Sequence, residues 1–195
     1  MIEKFLPPNW EFTPQNQKSF AHSHTVANAA KLIASHTKDL DPEKAYAYGL
    51  MHDLGKFYLK KDEMYKHPRV GYELLKESHP DIAKICITHP FPDFKSYDHI
   101  LHYHKNDEVE AKKTFEILNK IEKDDYIELI QLCDKLSRLD DYVSLDNKVK
   151  WYLETYNLDP DELVQQYIGN LTKTKQKFDK MTGRDVYTLL GIEND

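Results

Sequence analysis

Apolar residues recur at helical spacing along most of this chain. Phe20, Val26, Ala29, Ala30 and Ile33 share one face of a segment that opens at Gln17. Asp41-Pro42-Glu43 is a helix start, with Asp as cap and Pro at the first helical position. The helix it opens runs through Ala45, Tyr48 and Leu50 to about Leu54-Gly55. His67-Pro68 opens another, with Val70, Leu74 and Leu75 inward, and Pro80-Asp81 a third, with Ile82, Ile85 and Cys86 inward. Helices are predicted again over residues 108–120, 124–140 and 146–156. Asp159-Pro160-Asp161-Glu162 repeats the start signal and leads to a helix ending near Met181, before Gly183, and a short last turn spans 184–191.

Two stretches lack that periodicity. Residues 1–16 carry Pro7, Pro8 and Pro14 and read as an irregular lead-in. Residues 90–107, rich in Pro, Asp and aromatics, read as a long loop holding at most one helical turn, and loops of that length are commonly functional. No strand pair and no internal repeat is evident. The expectation is an all-α fold: a lead-in over 1–16, a helical domain over 17–140 and a helical extension over 141–195. Trp151, Tyr152, Tyr156 and Tyr167 of that extension either pack over the core or form a homodimer surface.

Composition narrows the function. Six glycines in 195 residues disfavour a Gly-rich phosphate loop, whereas ten histidines exceed what a core needs. The 27 basic and 33 acidic residues give a net charge of -6, so nothing drives the whole chain toward duplex nucleic acid. A small anion remains a reasonable ligand if a metal supplies local positive charge. Two cysteines, Cys86 and Cys133, form no zinc-type pattern and suit a reducing compartment. The N-terminus shows no signal-peptide run, and no stretch approaches the ~20 apolar residues of a membrane span. A cytoplasmic protein without membrane contact is expected.

The strongest local signal is Met51-His52-Asp53-Leu54-Gly55-Lys56. Imidazole nitrogen and carboxylate oxygen side by side suit Fe, Mn, Zn or Ni, without distinguishing them, and Mg is also admitted. Lys56 follows closely enough to offer positive charge to a phosphate. Taken alone, the His-Asp pair also describes a helix end with two polar residues.

The surrounding sequence resembles the HD superfamily of metal-dependent phosphohydrolases. Upstream, Phe20-Ala-His22-Ser-His24-Thr-Val26-Ala27 is similar to that family's His-Ser-x-x-Val-Ala pattern, which selects His22 over His24. Helix geometry agrees: His22, Val26, Ala29 and Ile33 form an i, i+4, i+7, i+11 stripe, while His24 points about 200° away, toward solvent or substrate. Downstream, Cys133-Asp134-Lys135-Leu136 resembles the family's closing Ala-Asp-Lys-Ile segment, and an Asp in an apolar helix needs a partner. His67-Pro-Arg-Val-Gly71, and His89 at the end of Ile82–His89, resemble the additional ligands of two-metal members.

The resemblance implies a metal set of His22, His52, Asp53, His67, His89 and Asp134, two divalent ions with Asp53 as bridge, and attack of a metal-activated hydroxide on phosphorus. It implies catalytic roles for Asp53 and Lys56 and phosphate contacts from Lys56 and from Arg138, taken to lie one turn after Asp134. A single ion on His22, His52, Asp53 and Asp134, with His67 and His89 on the phosphate, is the other arrangement. The implied substrate is a small phosphorylated metabolite, a nucleotide foremost. A one-metal nucleotide 5′-phosphatase and a non-catalytic metal- or nucleotide-binding sensor are the alternatives. Tyr58, Tyr65, Phe91, Phe94 and Tyr97 either stack on a base or pack in the core. His99, His102 and His104 form a rival cluster, read as a surface or pocket-rim feature.

Overall fold

A computed structural model describes residues 2–11, 13–156 and 162–193, and these described residues form ten α-helices, three 3-10 turns and one short hairpin. The fold is all-α, as the periodicity predicts. Helix α1 (Pro14–Ala34) packs along α2 (Pro42–Met51), and α3 (His67–Leu75) along α4 (Pro80–Thr88). Helices α5 (Tyr97–Tyr103) and α6 (Glu108–Leu118) pack against each other. Helix α7 (Asp125–Leu136) runs through the middle and touches α1, α2, α4, α8 (Leu145–Tyr156) and α9 (Glu162–Thr182). Helix α10 (Val186–Leu190) closes the chain against α1 and α9.

The helix starts follow from capping chemistry. Asp41 Oδ1 accepts hydrogen bonds from the amides of Glu43 and Lys44 at 2.8 and 3.2 Å, with Pro42 at the first position. Asp124 does the same for α7, accepting from Ile127 N at 2.8 Å. Helix α1 begins earlier than its apolar stripe, because Thr13 Oγ1 accepts from Asn16 N at 3.2 Å and Pro14 follows the cap.

One apolar cluster joins Val26, Ala29 and Ile33 of α1 to Ile130 and Cys133 of α7 and to Leu171 and Phe178 of α9, so the C-terminal helices share the central core. A second cluster gathers Ala27, Met51, Leu54 and Cys86, and Ile2 is buried in it. The lead-in is therefore not wholly irregular: Ile2–Phe5 forms a 3-10 turn packed beneath the end of α2.

Three further expectations change. Helix α2 stops at Met51, and Leu54–Tyr58 continues as a 3-10 turn. Residues 90–107 are not one long loop: α5 forms within them, with Ser96 Oγ accepting from His99 N at 3.4 Å. Helix α7 ends at Leu136, four residues short of the predicted boundary. There β1 (Ser137–Arg138) and β2 (Asp141–Tyr142) pair antiparallel, around Leu139 at φ 53°. The helix start at Asp159-Pro160-Asp161 and the side chains of Tyr152 and Tyr156 lie outside the described residues. No helix among the described residues is long and apolar enough to cross a membrane.

Candidate metal centre

Six side chains converge where the ends of α2, α4 and α7 meet α1 and the start of α3. His22 comes from α1, His52 and Asp53 from the end of α2, His67 from the first position of α3, His89 from the end of α4 and Asp134 from α7. His52, Asp53, His67, His89 and Asp134 are buried, and His22 is half-buried with its side chain 15% exposed.

Asp53 lies between two groups of imidazoles. Its Oδ1 is 3.0 Å from His67 Nε2 and 3.3 Å from His89 Nε2. Its Oδ2 is 3.3 Å from His52 Nε2 and 3.9 Å from His22 Nε2, and also contacts Lys56 Nζ. Asp134 Oδ1 completes the second group, 3.0 Å from His22 Nε2 and 3.8 Å from His52 Nε2. His67 and His89 hold their Nε2 atoms 3.1 Å apart.

Three of the four histidines are oriented by the same local device. His52 Nδ1 donates to Gly49 O at 2.6 Å, His67 Nδ1 to Met64 O at 2.7 Å and His89 Nδ1 to Cys86 O at 2.9 Å. In each case the acceptor is the carbonyl three residues earlier, as the chain leaves or enters a helix. With the proton on Nδ1, the Nε2 of each of these three rings presents a lone pair toward a carboxylate oxygen. Lone pair facing lone pair is repulsive unless a cation lies between. Consistent with that, His52 Nε2 and Asp53 Oδ1 are buried and have no hydrogen-bond partner. The donor set, imidazole nitrogen with carboxylate oxygen, fits a divalent transition ion. His22, His52 and Asp134 form one group, and His52, Asp53 and His89 another, in which each residue brings a ligand atom within 4.8 Å of the others.

Protonation of His22, His67 and His89 matches that use. Burial lowers His22 and His67 and pushes His89 down to about 3, so these rings are neutral near pH 7. Burial also acts to lower His52, but the charges of Asp53 and Asp134 outweigh it and raise the ring. Burial would raise Asp53, yet His52, Lys56 and His67 hold it well below the carboxylate range. Asp134 is likewise held low against burial, by Lys135 first and by His22.

Two glycines permit the assembly. A Cβ on Gly55 would lie 2.1 Å from His67 O and 2.7 Å from Gly71 N, so the turn after Asp53 nests directly on the start of α3. A Cβ on Gly49 would lie 2.6 Å from Ala27 Cα, where α2 crosses α1.

The chain belongs to the HD domain family. The family match covers residues 19–139, from Ser19 in α1 to just past Asp134. HD domains are for the most part metal-dependent phosphohydrolases, and the convergence of His and Asp here is compatible with divalent metal binding. No curated protein and no solved structure matches the chain.

Not every expected residue sits at the HD centre. Arg138 does not lie one helical turn beyond Asp134: with α7 ended at Leu136, it is an exposed strand residue whose guanidinium stands 5.7 Å from the Trp151 ring. His24 is half-buried against Phe20, with Nδ1 3.3 Å from Tyr46 Oη, rather than in solvent. Of the cluster read as a surface or pocket-rim feature, His99 and His102 do line a cavity, whereas His104 is fully buried among Tyr65, Phe91 and Tyr103. Phe91 and Phe94 are buried, whereas Tyr58 is exposed.

Other contributors were not singled out by sequence. Lys135 Nζ lies 2.6 Å from Asp134 Oδ2, and Lys148 Nζ donates to Ser137 O at 3.0 Å, with burial lowering Lys148 to about 8. Gln131, buried one turn before Asp134, donates from Nε2 to Thr88 O and Phe91 O at 2.9 and 2.8 Å, and so fixes the backbone on both sides of His89. A polar residue three positions from Asp134 on the same apolar face was the signal available for it.

Proposed function

We infer that this HD domain is a metal-dependent phosphohydrolase of a small phosphorylated metabolite, a nucleotide foremost. The division of Asp53 carries the inference: one oxygen faces His67 and His89, the other His22 and His52. That arrangement supports two ions bridged by one carboxylate. His22, His52, Asp53 and Asp134 would hold the first, and Asp53, His67 and His89 the second. Ions held there would supply activation of a water and neutralisation of phosphate charge.

The remaining chemistry belongs to the chain. Asp53, held ionised by its neighbours, orients the attacking water instead of storing a proton. Lys56, beside Asp53 Oδ2 and partly exposed, offers its ammonium to a phosphate oxygen. Lys135 and Lys148 add positive charge on the Asp134 side, where Arg138 had been expected to supply it. Burial pushes the thiols of Cys86 and Cys133 up, so neither is a nucleophile, which supports direct attack without a covalent intermediate.

The experiment is a screen of nucleotide and sugar phosphates on protein supplemented with Mn or Fe, alongside its metal content. Release of phosphate with about two ions per chain is the expected result. A ratio near one with full activity supports the one-metal nucleotide phosphatase. Tight nucleotide binding without turnover by metal-loaded protein contradicts the enzyme and supports a sensor.

A further inference from the structure

Beside the metal centre lies a cavity of about 260 Å3. It shares walls with both halves of the centre. Lys135, in its lining, contacts Asp134, and Tyr103, also in its lining, places its hydroxyl 3.4 Å from His67 Nδ1. Phe91, two residues after His89, forms another part of the wall. The far side is built by α8 and α9, including Val149, Trp151, Leu163 and Tyr167, all beyond the residues 19–139 matched to the HD domain. The cavity is therefore an addition made by this chain's C-terminal helices to the common domain.

Its chemistry is asymmetric. The positive groups, Lys135 and Lys148, stand toward Asp134, whereas the remainder of the wall is mainly aromatic and aliphatic. Asp93, His99 and His102 depart from that rule, and His99 is the one with an unmet buried atom. His99 points Nε2 at Leu163 O, 3.2 Å away, and its Nδ1 is buried without a hydrogen-bond partner. With the proton on Nε2, Nδ1 is a free acceptor on a mainly apolar wall. A buried acceptor of that kind is costly unless a ligand donor meets it. Four aromatic rings, those of Phe91, Tyr103, Trp151 and Tyr167, favour a flat partner over a flexible chain. The volume falls just below the roughly 300–1,000 Å3 of typical ligand pockets, room for one ring system.

We propose that this cavity takes the organic half of the substrate: a single flat heteroaromatic ring system that donates an N–H to His99 Nδ1, joined to a phosphate that reaches the metal centre. The proposal rests on the phosphohydrolase reading for the phosphate end only. An aminopurine mononucleotide has the required form. A sugar phosphate lacks the ring, and a dinucleotide carries one ring too many.

Calorimetry on metal-loaded protein separates the two ends, using adenosine 5′-monophosphate, ribose 5-phosphate, hexyl phosphate, inorganic phosphate and adenosine as probes. The nucleotide is expected to bind at least about tenfold more tightly than ribose 5-phosphate or hexyl phosphate, and adenosine to bind without any phosphate. Val149→Trp, which fills the cavity, lowers affinity for the nucleotide and for adenosine by about tenfold or more relative to inorganic phosphate. His99→Phe lowers both by roughly fivefold, the worth of one hydrogen bond. Should Val149→Trp fail to fold, quenching of Trp151 fluorescence by adenosine in a Trp10→Phe background gives the same readout. Equal affinity for the nucleotide and ribose 5-phosphate, with no adenosine binding, overturns the proposal. Hexyl phosphate binding as tightly as the nucleotide also overturns it. Adenosine binding with no affinity for inorganic phosphate upholds the cavity and defeats the phosphohydrolase reading instead.

Discussion

His22 and Asp134 stand 112 residues apart in the chain and 3.0 Å apart in the fold, Nε2 against Oδ1. One belongs to the first helix and the other to the seventh, so this contact joins the two ends of the HD domain. Asp134→Asn keeps the shape and removes the charge. Its metal affinity is expected to fall by more than the roughly 10- to 100-fold that accompanies loss of an outer partner. Competition with a chromogenic chelator measures it, and an unchanged affinity would exclude Asp134 as a ligand.

Gly55 sits where the turn after Asp53 meets the carbonyl of His67, with no room for a methyl group. The obstructing atoms are backbone, which cannot move aside cheaply. Gly55→Ala is therefore expected to cost about 2–3 kcal/mol in a denaturant titration and to weaken metal binding through displaced His67. A variant as stable as the parent would show that the approach is looser than described.

Much of this centre was legible in the sequence because it is local. His52, Asp53, Gly55 and Lys56 are contiguous, and the Asp41-Pro42 and His67-Pro68 starts announce their own helices. Asp134 stood out as a charge inside an apolar helix. Other features depend on contacts that no short window records. The end of α7 at Leu136 is set by the hairpin, which Thr25 Oγ1 secures by donating to Leu139 O at 2.5 Å, and Arg138 is turned outward with it. The burial of His104 arises from packing against Tyr65 and Phe91, which are distant in sequence. The cavity wall needs α8 and α9 docked before it exists.

His104 is fully buried, neither ring nitrogen has a hydrogen-bond partner, and burial pushes its pKa down to about 4 against the opposing pull of Glu110 and Asp107. Between about pH 4 and the unfolded value of 6.5, the unfolded chain takes up a proton that the folded chain refuses. This residue is thus expected to make stability fall as pH drops through that window, by on the order of 2–3 kcal/mol. His104→Phe, in an aromatic surrounding, should flatten that part of the profile and add about 1 kcal/mol near pH 7. Denaturation midpoints from pH 4 to 7 test it, and an unaltered slope in the variant would refute it.

Gln131 is a positioning residue for His89. Gln131→Leu leaves the carbonyls of Thr88 and Phe91 without their donor, at a cost of about 1–3 kcal/mol. Its further expected effect is selective: the His67–His89 half of the centre loosens, while the His22–Asp134 half keeps its ion. Metal titration followed by absorption of a Co-substituted protein distinguishes the halves, and equal loss from both would mark Gln131 as merely structural.

The central claim, two ions bridged by Asp53, is tested most directly by elemental analysis of protein purified without chelator and resupplied with Mn or Fe. The parent is expected to carry close to two transition-metal ions per chain, and the His67→Ala, His89→Ala double variant close to one. Equal stoichiometry in the two proteins would contradict the bridge, and less than half an equivalent in the parent would contradict the metal centre itself.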